Sequence, residues 1–524
     1  MRTGKLSRGV LLLVICAASF RRSEAQQPPG PSVPATEPSS SANANDDRAL
    51  LKELEEMRAR IAEIEAELQA RARAETAAAP AEAPSNATAS TQTANLDPGP
   101  PKKKAEEPFS FGDWSWLNGN ARTKDIPYDT KYFTPEVRAD VAYVYDFNHP
   151  KDDTISGSSE TFRAQEFQLT QLGLGGDFHA DNVHARFMTQ LGMYSQTQPR
   201  NDPTVSRGQW GLDDAYRYVS EAYGGYHFDV LHGVNVDAGI FMSYIGLFSF
   251  YNFDNWAYQP SYVSSNTPWF FNGLRVQVYP TEKLKFEGWF VNGWQSYGRY
   301  NNRPGVGMQF LYRPNGSVSI VGNEYALGAD TLGVPGRIRY HSDDSIEVKY
   351  LDHPGSRLDK MAFSLTGDIG CEHGGGVSCA GDSASGPKQS FLGYMAYNRF
   401  WFAHDRYGVT LGGGAMNNPG RYLVLLPPIN GATAATGSPY FTENPGDPFK
   451  AWDATATFDY MPSQYITFRW EFDHRAANVP YFSGSGGVTP PGGNTGDPSG
   501  TVAGFAPDLR KRENRLNMAV MVKF

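Results

Sequence analysis

The sequence predicts an all-β chain, a transmembrane antiparallel up-and-down β-barrel of about sixteen strands preceded by a short N-terminal coiled-coil helix. Three observations lead there. Apolar and polar residues alternate through most of the stretch from Phe133 to Phe524, the period-two pattern of half-buried strands. The connections are by turns short and long, as in outer-membrane barrels with tight periplasmic turns and extended external loops. No run reaches the ~18 consecutive apolar residues of a membrane helix, although aromatics make up 13% of the 524 residues and mean hydropathy is −0.48. A barrel escapes hydropathy because lipid-facing and lumen-facing side chains alternate.

Residues 1–25 read as a secretory signal peptide, with Arg2, Lys5 and Arg8 before an apolar core from Val10 to Phe20 and Ser23-Glu24-Ala25 as the cleavage site. Cys16 follows Ile15 where a lipoprotein signal needs a small residue, so lipidation is not expected. The segment carries five basic residues and Glu24, so its removal takes the net charge from −9 by −4 to −13. So acidic a chain is a poor match for nucleic acid, and none is expected as a partner.

Residues 26–45 are Pro-, Ser- and Ala-rich and read as a flexible tether. Over residues 46–75, Leu50, Leu54, Met57, Ile61, Ile64 and Leu68 recur at spacings of four and three, a heptad seam. Three heptads are marginal as a lone helix. They predict a homo-oligomer, taken as a trimer, joined through this helix in the periplasm. Residues 76–108 form a second low-complexity linker, and the barrel is assigned to 109–524.

Sixteen strands are expected: 136–148, 164–180, 183–196, 216–230, 234–245, 271–279, 284–295, 304–313, 318–330, 337–351, 359–371, 389–403, 407–416, 451–460, 465–474 and 513–524. A turn at His341-Ser342-Asp343-Asp344 would raise the count to eighteen. The shift of apolar face from Phe167 and Leu169 to Leu172 and Leu174 predicts a bulge. Tyr465 to His474 alternates most cleanly, with Ile466, Phe468, Trp470 and Phe472 against Thr467, Arg469, Glu471 and Asp473. The last residues, Leu516 to Phe524, alternate in the same way and end on an aromatic residue of the lipid-facing parity, the form of strand that outer-membrane assembly reads.

The third long connection, Gly246 to Phe270, contains Phe248, Phe250, Tyr251, Phe253, Trp256, Tyr258, Tyr262 and Trp269, with Asp254 as its single charge. A loop this long within a compact domain is functional or disordered, and this aromatic content argues against disorder. It is expected to fold inward and constrict the pore. Lumen-lining candidates are Arg138, Asp140, Arg186, Arg275, Lys285, Glu287, Arg469, Glu471 and Asp473, followed by Arg217, Glu221, Glu347 and Lys349; each could equally form half of a cross-strand pair. Cys371 and Cys379, in an oxidising compartment, are expected to close a Gly-rich loop by a disulfide. Two cysteines and His373 are too few for a metal site. No nucleophile motif accompanies the histidines, and no Gly-rich run opens a helix, so neither an enzyme nor a cofactor is expected.

Three blocks, WLNGNARTKD from Trp116, FTPEVRADVAYVYDFNHP from Phe133 and the long run SEAYGGYHFDVLHG… from Ser220 through the aromatic loop, resemble the OmpL-like outer-membrane β-barrel porins. The resemblance covers about Phe109 to Phe524. It implies a barrel, an outer-membrane location and passive transport, and supplies no site residues. The function expected is passive diffusion of small hydrophilic solutes. The alternative is a structural envelope protein whose plugged barrel is tethered toward the cell wall by the N-terminal helix.

Overall fold

A computed structural model describes residue 60 and residues 107–524, except 152, 159, 200–201, 331–332, 421, 423–446 and 488–506. The expected signal peptide, tether and, apart from Arg60, coiled-coil helix lie outside the described residues.

The strands are β1 (Phe133–Asp146), β2 (Phe167–Ala180), β3 (Val183–Thr189), β4 (Val219–Phe228), β5 (Val234–Met242) and β6 (Phe270–Thr281). There follow β7 (Leu284–Val291), β8 (Gly305–Asn315), β9 (Val318–Gly328), β10 (Ile338–Asp352), β11 (Leu358–His373) and β12 (Ser390–Phe402). The last are β13 (Tyr407–Asn417), β14 (Lys450–Ser463), β15 (Ile466–Ala477), β16 (Phe482–Gly487), β17 (Pro507–Arg510) and β18 (Arg512–Lys523). Sixteen of them, β1–β15 and β18, form one closed antiparallel barrel, sealed where β1 pairs with β18 from Arg138↔Lys523 to Asp146↔Arg515. β16 and β17 make a separate two-stranded sheet within the last external connection.

His341 to Asp344 do not turn: they continue β10, with Ser342 paired to Glu324 on one side and Ile369 on the other. The bulge falls at Thr170, skipped as Asp140 pairs with Gln171 and Val141 with Leu169. Several strands are shorter at their external ends than the sequence pattern suggests. β3 stops at Thr189 rather than 196 because Gly192 adopts φ +96° and the chain enters a helical turn at Tyr194–Thr197. β4 starts at Val219 because Leu212–Tyr216 is helical. Residues 109–132, assigned to the barrel from the sequence, precede its first strand.

Face assignment follows the alternation. On β15, Trp470 and Phe472 are 41% and 44% exposed, whereas Arg469, Glu471 and Asp473 are each 1% exposed. Outward rings mark two levels: Tyr340 and Tyr350 lie ten residues apart on β10, and both face outward. At ~3.3 Å per residue and a tilt near 40°, they bracket about 25 Å, the height of an outer-membrane apolar band. Between them the outward face carries Ser342 and Asp344, and Ser342 Oγ donates to Glu324 on β9 at 3.1 Å.

The tight turns, β2–β3, β4–β5, β6–β7, β8–β9, β10–β11, β12–β13 and β14–β15, share one end with the start of β1 and the end of β18. That end is periplasmic by the barrel rule. The other end holds the long loops, and residues 243–269 are the third of these.

Candidate functional site

Strand parity sends the barrel's charges inward, where they pair. Arg138 meets Glu136 and, at 2.7 Å, Asp254. Arg186 reaches Glu136 at 2.9 Å, Asp177 at 2.8 Å and Glu221 at 3.0 Å. Arg275 donates to Asp237 at 2.8 and 3.0 Å, Lys285 to Glu287 at 2.5 Å, and Arg469 to Asp459 at 2.6 and 3.0 Å. Asp473 accepts from Thr455 at 2.8 Å and Asn517 at 2.6 Å. Asp140 and Glu471 instead serve the third loop. Arg217 is no lumen residue: it follows the helix Leu212–Tyr216 in the second external loop and pairs with Asp214.

The third loop leaves β5 and returns to β6, and β6 and β14 stand eight strands apart in either direction around the barrel. The loop reaches that far wall. Glu471 on β15 accepts from the backbone N–H of Tyr258 and of Gln259, each at 2.6 Å. Asp453 on β14 accepts from Ser261 Oγ at 2.7 Å and Tyr262 N at 3.1 Å. Ser261 also caps the short helix Tyr262–Ser265. Arg469 donates to the carbonyls of Asn252 and Asn255 at 3.2 and 2.7 Å, and Arg399 on β12 to that of Trp256 at 3.0 Å. Asp140 accepts from Asn252 at 2.9 Å and the Tyr258 hydroxyl at 3.0 Å. A loop with one charge is thus held by charges on the wall, which satisfy its buried backbone groups.

Asp254 faces Arg138 at 2.7 Å and Lys523 at 3.3 Å. Burial alone would push its carboxyl up, but those two cations outweigh it and hold the group below the usual carboxylate range.

The aromatic residues divide. Phe250 packs on Tyr194 (ring centroids 4.5 Å) and, edge-on, on Tyr251 and Trp269. Phe253 lies among Ala142, Ala519 and Met521; Trp256 meets Trp401 edge-on at 5.7 Å; Arg475 stacks on Tyr262 at 4.0 Å and Arg138 on Tyr251 at 3.9 Å. Tyr251, Phe253, Trp256 and Tyr262 thus hold the loop to the wall, whereas Phe250 packs on the second external loop and on its own loop. Phe248 and Phe250, with Leu247, Asp254 and Asn255, border a cavity of about 470 Å³ on the opposite side, walled by Arg275, Lys285, Glu287, Gln309, Arg313 and Glu347 of β6–β10.

Sequence reasoning missed the floor of that cavity. Leu117 and Asn118 line it, and Trp116 beside them is fully buried. The WLNGNA run was visible, but nothing in a strand pattern announces a segment threaded beneath a barrel. Asp453, Asp459 and Arg399 were also missed, although alternation on β12 and β14 places all three inward. Cys371 and Cys379 are joined by a disulfide at the external end of β11, away from the cavity.

A closed sixteen-strand barrel with outward aromatic levels, a paired polar lumen and an inward third loop defines an outer-membrane barrel of the porin type. Residues 137–506 match the family model described as "Putative beta-barrel porin-2, OmpL-like", and the chain belongs to that family. It is an outer-membrane barrel of a family of channels for passive diffusion. No curated protein matches the sequence. Among solved structures, the chain is similar to the outer membrane channel DcaP of Acinetobacter baumannii at 13% identity, over 75% of this chain and 96% of that one, with TM-score 0.42. It is similar to an anion-selective porin from Comamonas acidovorans at 11% identity, over 74% and 98%, with TM-score 0.41. It is also similar to OprB of Pseudomonas putida at 10% identity, over 75% and 94%, with TM-score 0.41.

Proposed function

We propose that the protein is a porin for small hydrophilic solutes in which the third external loop is the constriction. The observation that carries this reading is the crossing of the lumen from β5–β6 to Glu471 and Asp453, which leaves the cavity against β6–β10 as the route past the loop. A cavity of about 470 Å³ suits a solute of a few polar groups, toward the small end of ligand-sized cavities. Its lining mixes Arg275, Lys285 and Arg313 with Glu287, Glu347 and Asp254. Neither sign dominates, so filtering is mainly by size, with weak charge selectivity. Phe248 adds an aromatic ring beside these polar groups, a surface suited to sugar rings. The heptad seam of Leu50, Leu54, Met57, Ile61, Ile64 and Leu68 supports assembly as a homo-oligomer through this periplasmic segment.

Conductance of the purified full-length protein in planar bilayers tests the proposal. Discrete channel steps are expected, and a protein that inserts but carries no current, in wild type and in folded variants of the residues around the cavity alike, would return the reading to a plugged structural barrel. Removing Leu50 to Leu68 should dissociate the oligomer on native gels while sparing the channel.

A further inference from the structure

We propose that residues 107–124 are a periplasmic strap that partly closes this channel from below, an inference that rests on the passage proposed above. The strap spans the periplasmic mouth. At one side Phe109 N donates to the Glu282 carbonyl in the β6–β7 turn at 2.8 Å. Arg313 of β8 stacks on Trp114 at 4.3 Å. At the other side Asn120 Nδ2 donates to Ser463 O at 3.0 Å and Thr467 Oγ1 at 3.2 Å, and Thr123 Oγ1 to Gln464 O at 3.2 Å. The β6–β7 and β14–β15 turns stand eight strands apart in either direction around the barrel, so the strap crosses a full diameter.

Midway it bonds to the third loop. Gly119 N donates to the Asp254 carbonyl at 2.8 Å, and Trp256 Nε1 to the Trp116 carbonyl at 3.3 Å. Arg399 ties both to the wall, donating to Gly119 O at 2.7 Å and to Trp256 O at 3.0 Å. A Cβ at position 119 would lie 2.3 Å from Asn255 O and 2.4 Å from Phe253 O, so only glycine allows this approach. Leu117 and Asn118 then form the floor of the cavity.

The barrel wall does not need the strap. The strand ladder begins at Phe133 and closes without any strap residue. The strap can therefore leave with the wall intact, and the chain upstream of it leads to the linker and the helix expected to oligomerise. A pull or a binding event there reaches Phe109 first.

Planar-bilayer recording of the full-length protein tests this with wild type, Gly119→Val and Trp116→Ala, each checked for a folded barrel by heat-modifiable gel mobility. Both substitutions should raise single-channel conductance at least twofold and make Arg122 and Lys124 cleavable by trypsin added from the periplasmic side. If wild type and both folded variants conduct alike, the strap inference falls while the porin reading stands. A silent wild type with conducting variants supports a closed strap. Silence in all three overturns both.

Discussion

Glu471 is the clearest place to perturb the third loop. Its carboxylate accepts two loop N–H groups, from Tyr258 and Gln259, at 2.6 Å each, and two wall donors, Thr457 at 2.7 Å and Asn517 at 3.3 Å. Hydrogen bonds to a charged partner contribute ~1.5–3 kcal/mol each. Glu471→Ala therefore takes about 3–6 kcal/mol from the docked loop, or roughly 10²–10⁴ in its docked-to-undocked ratio. Glu471→Gln keeps one carbonyl acceptor and loses about half of that. The readout is single-channel current: mean conductance and open-state noise should rise in the order wild type, Gln, Ala. Thr457→Val removes a wall bond to the same carboxylate while both loop bonds remain, so its noise should match wild type. An Ala variant that folds and shows unchanged conductance and noise would refute the idea that this loop sets the passage.

Three further outcomes follow from particular residues. Asp202 in the second external loop is buried, which pushes its carboxyl up to about 6 despite hydrogen bonds from Thr204 and Ser296. A raised carboxyl is stabilising when protonated, so the contact is strongest below about pH 4, weakens up to pH 6 and is flat above, by about 3 kcal/mol in all. Hydrogen exchange at the amides of Thr204–Ser206, corrected for intrinsic rate, should slow from pH 7 to pH 5 in wild type and not in Asp202→Asn. Asp344 faces outward between the levels of Tyr340 and Tyr350, where a carboxylate opposes lipid; Asp344→Leu should stabilise the barrel in bilayers by about 1 kcal/mol, measured by urea unfolding. A loss of stability would mean that protein covers this face. Reducing Cys371–Cys379 opens a loop of sequence separation 8 and should cost the β11–β12 loop roughly 2–3 kcal/mol, seen as proteolysis within 374–389 with channel conductance unchanged.

The barrel was legible because its signal is periodic. Val520 and Phe524 outward against Arg515 and Asn517 inward is a period of two that any register obeys, and the parity of loop lengths fixed which end was which. Strand ends were less legible, since Leu191 and Met193 keep the strand parity across Gly192, where the backbone has already turned. The site divided on the same principle. Arg469, Glu471 and Asp473 follow strand parity and were found, while their partners were not, because the contact from Glu471 to Tyr258 spans a loop crossing that no local pattern encodes. The aromatic loop was conspicuous for its composition, yet composition could not say that most of its rings face the wall and that Phe248 and Phe250 border the cavity.

The manner of attachment separates what is fixed from what can move. The third loop is held by Glu471, Asp453, Arg469 and Asp140, wall residues between 1% and 6% exposed. Buried charges are costly unless hydrogen-bonded, and here the backbone of the loop provides those bonds. Lifting the loop would therefore strand both its own N–H groups and the charges beneath them, so wall and loop hold one another in place. The strap differs. Its ends rest on turn carbonyls at Glu282, Ser463 and Gln464, neutral groups at the periplasmic rim that water can satisfy once the strap departs. Three buried groups lose a partner, the neutral Trp256 Nε1 and Thr467 Oγ1 and the Arg399 guanidinium, and Arg399 keeps Asp459 at 2.7 Å and Trp256 O at 3.0 Å when Gly119 leaves. The element with the smaller desolvation cost is the one free to act as a gate, so regulation should enter from the periplasm through the strap, with the loop above it acting as a fixed sieve.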